Sequence, residues 1–127
     1  MKFYKTKPCF EIIEQTPDGD VIRLKRKMEY YIGDTTIEVS KGFECDGASV
    51  PRILWSMVSP TIHPVTIASS ILHDYLYRKH PKNITRCEAD AIFYAICRAD
   101  GLSLLRAVLA WLGVRLFGGK AWKEGGQ

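Results

Sequence analysis

The sequence lacks the short motifs that identify the common nucleotide-dependent and metal-dependent enzymes. It has no P-loop, no glycine pattern of dinucleotide-binding folds, no His-Glu-x-x-His and no Gly-x-Ser-x-Gly. None of its four cysteines forms a Cys-x-x-Cys pair, which argues against a structural zinc site. The sequence therefore gives no sign of the enzyme classes that these motifs identify. Any catalytic activity must depend on residues outside such motifs.

Long hydrophobic runs are also missing. The N-terminal residues 1–7 are basic, but no apolar stretch follows them, so we expect no secretory signal and reduced thiols. The most apolar segment, 103–117, is shorter than the roughly 20 residues that cross a bilayer, and Arg106 and Arg115 interrupt it. We therefore expect neither a secreted protein nor a transmembrane segment.

Composition and charge are those of an ordinary globular protein. The 127 residues are 46% hydrophobic and 25% charged, which fits a single domain over residues 1–127. A net charge of +4 does not by itself argue for nucleic acid, and no nucleic-acid partner is expected. The basic run Arg23–Lys27 indicates the solvated face of a strand, with a phosphate-binding patch as the alternative.

Residues 1–45 have mainly β character. Turn residues at Thr16–Asp20 and at Gly33-Asp34 separate extended segments and predict two antiparallel hairpins. The strands are expected over Phe10–Glu14, Val21–Leu24, Met28–Ile32 and Thr36–Val39.

Residues 51–117 have mainly α character, and 118–127 are expected to form a flexible tail. Pro51 favours a short helix over 51–55, and Thr85 with Glu88 matches a capping box. Longer helices are expected from Val65 to Tyr77 or Arg78, over 86–99 and over 103–117. The chain is thus predicted to be α+β, with N-terminal hairpins packed against about three helices. Contact of the last helix with a membrane surface is the alternative to packing.

A histidine and three acidic or phenolic groups form the candidate catalytic and metal site. His73, Asp74 and Tyr77 lie on a predicted helix that is apolar on most sides, and Asp90 lies on the next helix. Because a short connection makes these helices antiparallel, His73 and Asp90 are expected within reach of each other. A carboxylate on one imidazole nitrogen leaves the other to accept a proton from water, as in a hydrolase.

Asp46 heads a turn of small residues before the first long helix. If this turn folds over the helix pair, Asp46 and Asp74 can hold calcium, and adding His73 makes zinc chemically possible. The alternative is architectural: Asp46 caps the turn, His73 and Asp74 are satisfied core polar groups, and Tyr77 is a packing residue.

Four ordered segments resemble a family of small uncharacterised proteins of tailed bacteriophages and prophages, which is catalogued as a domain of unknown function. The resemblance implies a phage origin, a location in the host cytoplasm or the virion, and phage structural or host proteins as partners. It implies no activity. The segments are Gly42–Arg52, His73–Tyr77, Ala89–Phe93 and Val114–Gly118.

The spacing His73-Asp74-x-x-Tyr77 followed by Asp90 is similar to the catalytic helix pair of secreted-type phospholipases, including the capsid-borne parvovirus form. This resemblance implies that His73 activates water, Asp90 orients it, Tyr77 supports the pair and Asp74 binds calcium. The resulting hypothesis is a metal-assisted hydrolase of lipid or cell-wall bonds. The alternative is a non-catalytic virion or tail-assembly component, or an inhibitor that binds a host protein.

Overall fold

The computed structural model describes residues 3–16, 19–45 and 65–125. Within these ranges antiparallel strands precede the helices, which confirms the predicted α+β class. The predicted helix over 51–55 and the Asp46 turn lie outside the described residues. The elements are β1 (Phe10–Thr16), β2 (Gly19–Leu24), β3 (Met28–Ile32), β4 (Thr35–Val39), β5 (Glu44–Cys45), α1 (Ile67–Lys79), α2 (Arg86–Ala99), α3 (Leu104–Phe117) and α4 (Gly119–Glu124).

The described strands form two small sheets. In one, β2 lies between β1 and the short β5, with Ile22 opposite Cys45. In the other, β3 and β4 form a hairpin that turns at Gly33 and Asp34. Gly33 has φ +59°, a left-handed conformation that glycine adopts without steric cost, so the predicted turn forms as its residues indicated.

Both sheets share a core with α1. Alternate strand residues such as Ile22, Leu24, Met28 and Tyr30 are buried and join the same apolar cluster as Ile71 of α1. The period of two places one face of each strand inward. Since α1 is buried on nearly every side, it forms the centre of the protein.

The hydroxyl of Tyr30 fixes α1 against the β3–β4 hairpin. It is fully buried and donates a hydrogen bond of 2.7 Å to the carbonyl oxygen of Ala68 in the first turn of α1. A buried phenol needs such a partner, because losing its hydrogen bonds to water is costly.

Helices α1 and α2 run antiparallel. Ser69 lies 3.1 Å from Cys97, His73 contacts Asp90, and Tyr77 contacts Arg86, so positions rise on one helix as they fall on the other. The predicted capping box of α2 forms, with Thr85 and Glu88 satisfying each other's backbone N–H groups.

The outer side of α3 is apolar and exposed, while Ala107, Ala110 and Val114 pack against α2. No helix of the described ranges combines the length and the hydropathy that a membrane span requires. The exposed apolar side chains of α3 are Leu104, Leu105, Leu112, Leu116 and Phe117.

The predicted flexible tail is wrong for residues 119–124, which form α4. Its Trp122 stacks on His80 with 3.7 Å between ring centroids and contacts the ring of Tyr77 edge-on. The glycine pair at 118–119 indicated the end of α3, but it did not reveal that a tryptophan beyond it would pack its ring against the end of α1.

We expect Tyr30→Phe to lower the free energy of unfolding by about 1 kcal/mol, because it removes one buried hydrogen bond while keeping the ring. Urea denaturation followed by circular dichroism measures the change. The control is Tyr31→Phe on the same strand, which is half-buried and should change stability by less. Equal effects of the two substitutions would contradict the role of the Tyr30 hydroxyl.

Candidate active site

Asp90 is the centre of a buried polar network between α1, α2 and α3. Its Oδ1 lies within hydrogen-bond distance of Nε2 of His73, at 2.8 Å, and accepts a hydrogen bond from the hydroxyl of Tyr77 at 2.5 Å. Its Oδ2 accepts from Nη1 of Arg115 at 2.8 Å, and Nε of Arg86 lies 3.9 Å away. Both carboxylate oxygens are therefore engaged, although the side chain of Asp90 is 0% exposed.

This arrangement keeps Asp90 ionised. Burial alone would raise the pKa of Asp90, but the hydrogen bonds from His73, Tyr77 and Arg115 outweigh it and hold the pKa below its ordinary value. Because an ionised carboxylate only accepts hydrogen bonds, Nε2 of His73 must carry the proton that the two groups share. Burial and the bond to Asp90 raise the pKa of Tyr77, which therefore stays a neutral donor.

Arg86 connects this network to the end of α3. Its Nη2 donates to the carbonyl oxygens of Val114 at 2.8 Å and Arg115 at 2.7 Å, and its Nε donates to the hydroxyl of Tyr77 at 3.3 Å. The last carbonyls of a helix have no partner within the helix and carry partial negative charge, which a guanidinium satisfies. Arg86 thus holds α3 and Tyr77 in fixed positions relative to α2.

Gly118 allows Tyr77 to approach the end of α3. A Cβ at this position would lie 2.5 Å from the carbonyl oxygen of Val114 and 3.0 Å from the hydroxyl of Tyr77. Both distances are too short for a methyl group, so any larger residue at position 118 would displace the Val114 backbone or the Tyr77 phenol. At the adjacent Gly119 the nearest atom, on Arg86, is 3.6 Å away, which is an ordinary contact.

The imidazole of His73 is held between aromatic rings. Its centroid lies 4.2 Å from that of Tyr77 and 4.8 Å from that of Phe93. Only 1% of His73 is exposed. The ring therefore has a fixed orientation toward Asp90, and the structure as it stands gives bulk solvent almost no access to it.

Asp74 points away from this network. Its carboxylate lies 3.4 Å from Arg78, whose Nη1 donates to the carbonyl oxygen of Glu44 on β5. Asp74 directly follows His73, which faces Asp90. Because one residue step along a helix rotates the side-chain direction by about 100°, Asp74 does not face Asp90. Arg78 therefore links α1 to the first sheet, and Asp74 is the carboxylate beside its guanidinium.

The predicted metal ligands do not form a complete site in the part of the chain that the structure describes. Asp46 lies outside the described residues, and no three histidine, cysteine, aspartate or glutamate side chains converge elsewhere in them. Calcium takes six to eight oxygen ligands, and the carboxylate of Asp74 lies beside a guanidinium. Because Asp46 is not among the described residues, the metal site stays a prediction.

The structure brings His73, Tyr77 and Asp90 together as their helical spacing indicated, while it adds three residues that the sequence reasoning did not assign to the site. Arg115 was noted only as a charge in an apolar helix, Arg86 as part of a cap, and Gly118 as a helix end. A carboxylate in an apolar stripe needs a cationic partner. Arg86 is four residues before Asp90, and residues at this spacing are neighbours on a helix, so the sequence could have identified Arg86 as that partner.

The chain matches a known family model. A family model described as "Protein of unknown function (DUF1353)" matches residues 22–114, which include His73, Tyr77, Asp90 and Arg86. Neither the curated proteins nor the solved structures yielded a match.

We expect stability to fall in acid through Asp90. Its pKa is lower in the folded protein than in the unfolded chain, so its contribution is present above the ordinary pKa and is lost as pH falls through the lowered one. Asp90→Asn should lower the free energy of unfolding by roughly 3 kcal/mol at pH 7 and flatten its dependence on pH below about 4. Urea denaturation at several pH values measures both effects.

Two further variants make the pH test specific. Tyr77→Phe removes one donor to Asp90 and so raises its folded-state pKa toward the ordinary value, which should make the loss of stability in acid smaller than in the wild type. Asp100→Asn removes a carboxyl whose pKa is raised by burial, so its effect on the slope should have the opposite sign. An unchanged acid profile in both Asp90→Asn and Tyr77→Phe would show that the network does not hold an ionised carboxylate.

Gly118→Ala should destabilise the protein by about 1–3 kcal/mol, since its methyl group overlaps the Val114 carbonyl and the Tyr77 hydroxyl. Gly119→Ala is the matched control and should be tolerated. Thermal unfolding of both variants measures the difference. If the two behave alike, the close approach at Gly118 is not a constraint on the fold.

Proposed function

The chain belongs to the DUF1353 family, whose description states no function, and we propose that it is a hydrolase in which His73 activates water and Asp90 orients the imidazole. The main support for this proposal is that Nε2 of His73 and the hydroxyl of Tyr77 bond to the same oxygen of a buried, ionised Asp90. The resemblance to the helix pair of secreted-type phospholipases assigns the same roles to these three residues.

The tautomer of His73 suits a general base. In the proposed reaction Nε2 stays bonded to Asp90, and Nδ1, the other ring nitrogen, takes a proton from water. The water oxygen then attacks an ester carbonyl carbon to form a tetrahedral intermediate. When the carbon–oxygen bond to the alcohol breaks, the imidazolium returns its proton to the leaving oxygen.

Asp90 stabilises the imidazolium that forms between these steps, and the other members of the network hold Asp90 in place. Arg115 binds Oδ2, which directs Oδ1 toward His73, and Tyr77 donates to Oδ1 without adding charge. Tyr77 and Arg115 are therefore positioning residues. A fixed carboxylate needs no reorganisation as charge develops on the ring, which is where such sites gain rate.

Ester bonds of phospholipids are the substrate class that we favour. The phospholipase resemblance supports it, as does the row of exposed leucines and phenylalanine on α3, because large apolar side chains in contact with water mark surfaces that bind protein or lipid. Cell-wall bonds are the second substrate class. The phage-like motifs support an origin in a phage or prophage and a role against the host envelope.

A non-catalytic role is the second candidate, and the burial of His73 and Asp90 favours it. His73 is 1% exposed and Asp90 0%, so hydrolysis requires the site to open before substrate reaches the ring. In the second candidate the network only joins three helices. The protein would then be a virion or tail-assembly component, or an inhibitor that binds a host protein.

We expect the wild-type chain to release lysophospholipid from phosphatidylglycerol or phosphatidylcholine vesicles, or soluble fragments from peptidoglycan. His73→Gln should lower the rate by at least about 100-fold, the usual contribution of a general base. His80→Asn is the matched control, because His80 stacks on Trp122 outside the network and asparagine tolerates its φ of 45°. Mass spectrometry of the products measures the rates.

The outcomes separate the two candidates. Activity that His73→Gln abolishes and His80→Asn retains, with both variants folded by circular dichroism, supports the hydrolase. No product from the wild type on either substrate, or equal rates in wild type and His73→Gln, supports the non-catalytic role. Vesicles with and without calcium test the metal prediction, since calcium should raise the rate of the wild type and not that of Asp74→Asn.

A further inference from the structure

A basic cavity lies in the β half of the protein, away from the Asp90 network. It has a volume of about 690 Å³ and is bounded by the N-terminal segment, the β2–β3 connection and residues of β3 and β4. None of its lining residues belongs to a helix. Its cationic lining residues are Lys5, Lys7, Lys25, Arg26, Lys27 and Lys41.

The lining has a net charge that equals that of the whole chain. Against its six cations stand only two carboxylates, Glu29 and Glu38, which leaves +4. The chain as a whole has 18 lysines and arginines and 14 aspartates and glutamates, also +4. All other charges therefore balance, and the excess positive charge of this protein is concentrated around one cavity.

The two carboxylates are used within the lining. Lys27 lies 3.6 Å from Glu29 and 3.1 Å from Glu38, and these contacts raise the pKa of Lys27. The other five cations of the lining have no carboxylate within ion-pair distance among the residues that the structure describes. Such a cluster repels itself, and an anionic ligand would relieve that repulsion.

Backbone hydrogen bonds hold the cationic segments together without any ligand. The N–H of Lys25 donates to the carbonyl of Cys9 at 2.8 Å, that of Gly42 to Leu24 at 2.9 Å, and that of Tyr31 to Phe3 at 2.7 Å. The N-terminal segment, the β2–β3 connection and the end of β4 are thus joined. Because the walls are formed in advance, a ligand would need to order only side chains.

The lining residues indicate phosphate as the anionic group and a small molecule as its carrier. Lysine ammonium groups are mobile point charges that suit phosphate oxygens, and several are needed for a multiply charged ligand. The half-buried ring of Tyr31 also lines the cavity and offers a surface on which a base can stack. The volume lies within the range of small-molecule sites, about 300–1,000 Å³.

We infer that this cavity binds a nucleotide-sized ligand with several phosphate groups, such as a nucleoside triphosphate. The inference does not depend on the proposed hydrolase, because the two sites share no residue. It differs from the sequence-based expectation for Arg23–Lys27, since the fold adds lysines from two other segments to that run.

Isothermal titration calorimetry of the full chain with ATP, tripolyphosphate, adenosine and single-stranded oligonucleotides of increasing length tests the inference. ATP should bind more tightly than tripolyphosphate, adenosine should bind weakly, and higher salt should weaken ATP binding. Tyr31→Leu should weaken the binding of ATP and leave the affinity for tripolyphosphate unchanged. An affinity for oligonucleotides that grows with length and exceeds that for ATP would overturn the small-molecule assignment.

A matched pair of charge reversals separates the cavity from net charge. Lys25→Glu with Arg26→Glu alters the lining, whereas Lys82→Glu with Lys123→Glu alters exposed lysines outside it. Each pair brings the net charge from +4 to zero. The first pair should weaken ATP by about tenfold or more and the second should not. Absence of ATP binding to the wild type, or equal losses in both folded pairs, would refute the site.

Discussion

The arrangement of α1, α2 and α3 depends on the charge of Asp90. A carboxylate with no exposed surface is costly unless charged and polar groups surround it, and here three side chains hydrogen-bond to it while Arg86 lies 3.9 Å away. Satisfying that one group fixes the distance between α1 and α2, the position of α3 and the proton on His73. The same requirement therefore determines both the packing of these helices and the orientation of the His73 ring.

This dependence explains why the same geometry of the site is compatible with both proposed roles, the hydrolase and the non-catalytic protein. A network that holds an imidazole rigidly against an ionised carboxylate is what a hydrolase needs, and it is also what three helices need in order to dock in one arrangement. The difference lies in access to His73, not in the hydrogen bonds. Function must therefore be decided by substrate turnover rather than by the distances between Asp90 and its partners.

The sequence predicted the fold class and part of the candidate site. The contacts that it did not predict have a physical reason. Local signals specified the capping box at Thr85 and the turn at Gly33, and helical spacing specified the face shared by His73 and Tyr77. Contacts between distant segments were not predictable: Arg115 approaches Asp90 only once α3 has docked, and Trp122 packs on α1 from beyond a helix end. The basic cavity likewise forms only when three separate segments are joined by backbone hydrogen bonds.

The most direct measurement is nitrogen-15 NMR of the His73 imidazole at neutral pH, which distinguishes a protonated ring nitrogen from a bare one. An ionised Asp90 requires the proton on Nε2, so the spectrum should show a protonated Nε2. A bare Nε2 with the proton on Nδ1 would mean that Asp90 itself carries the shared proton. That result would contradict both the ionised carboxylate at the centre of the fold and the base assigned to His73.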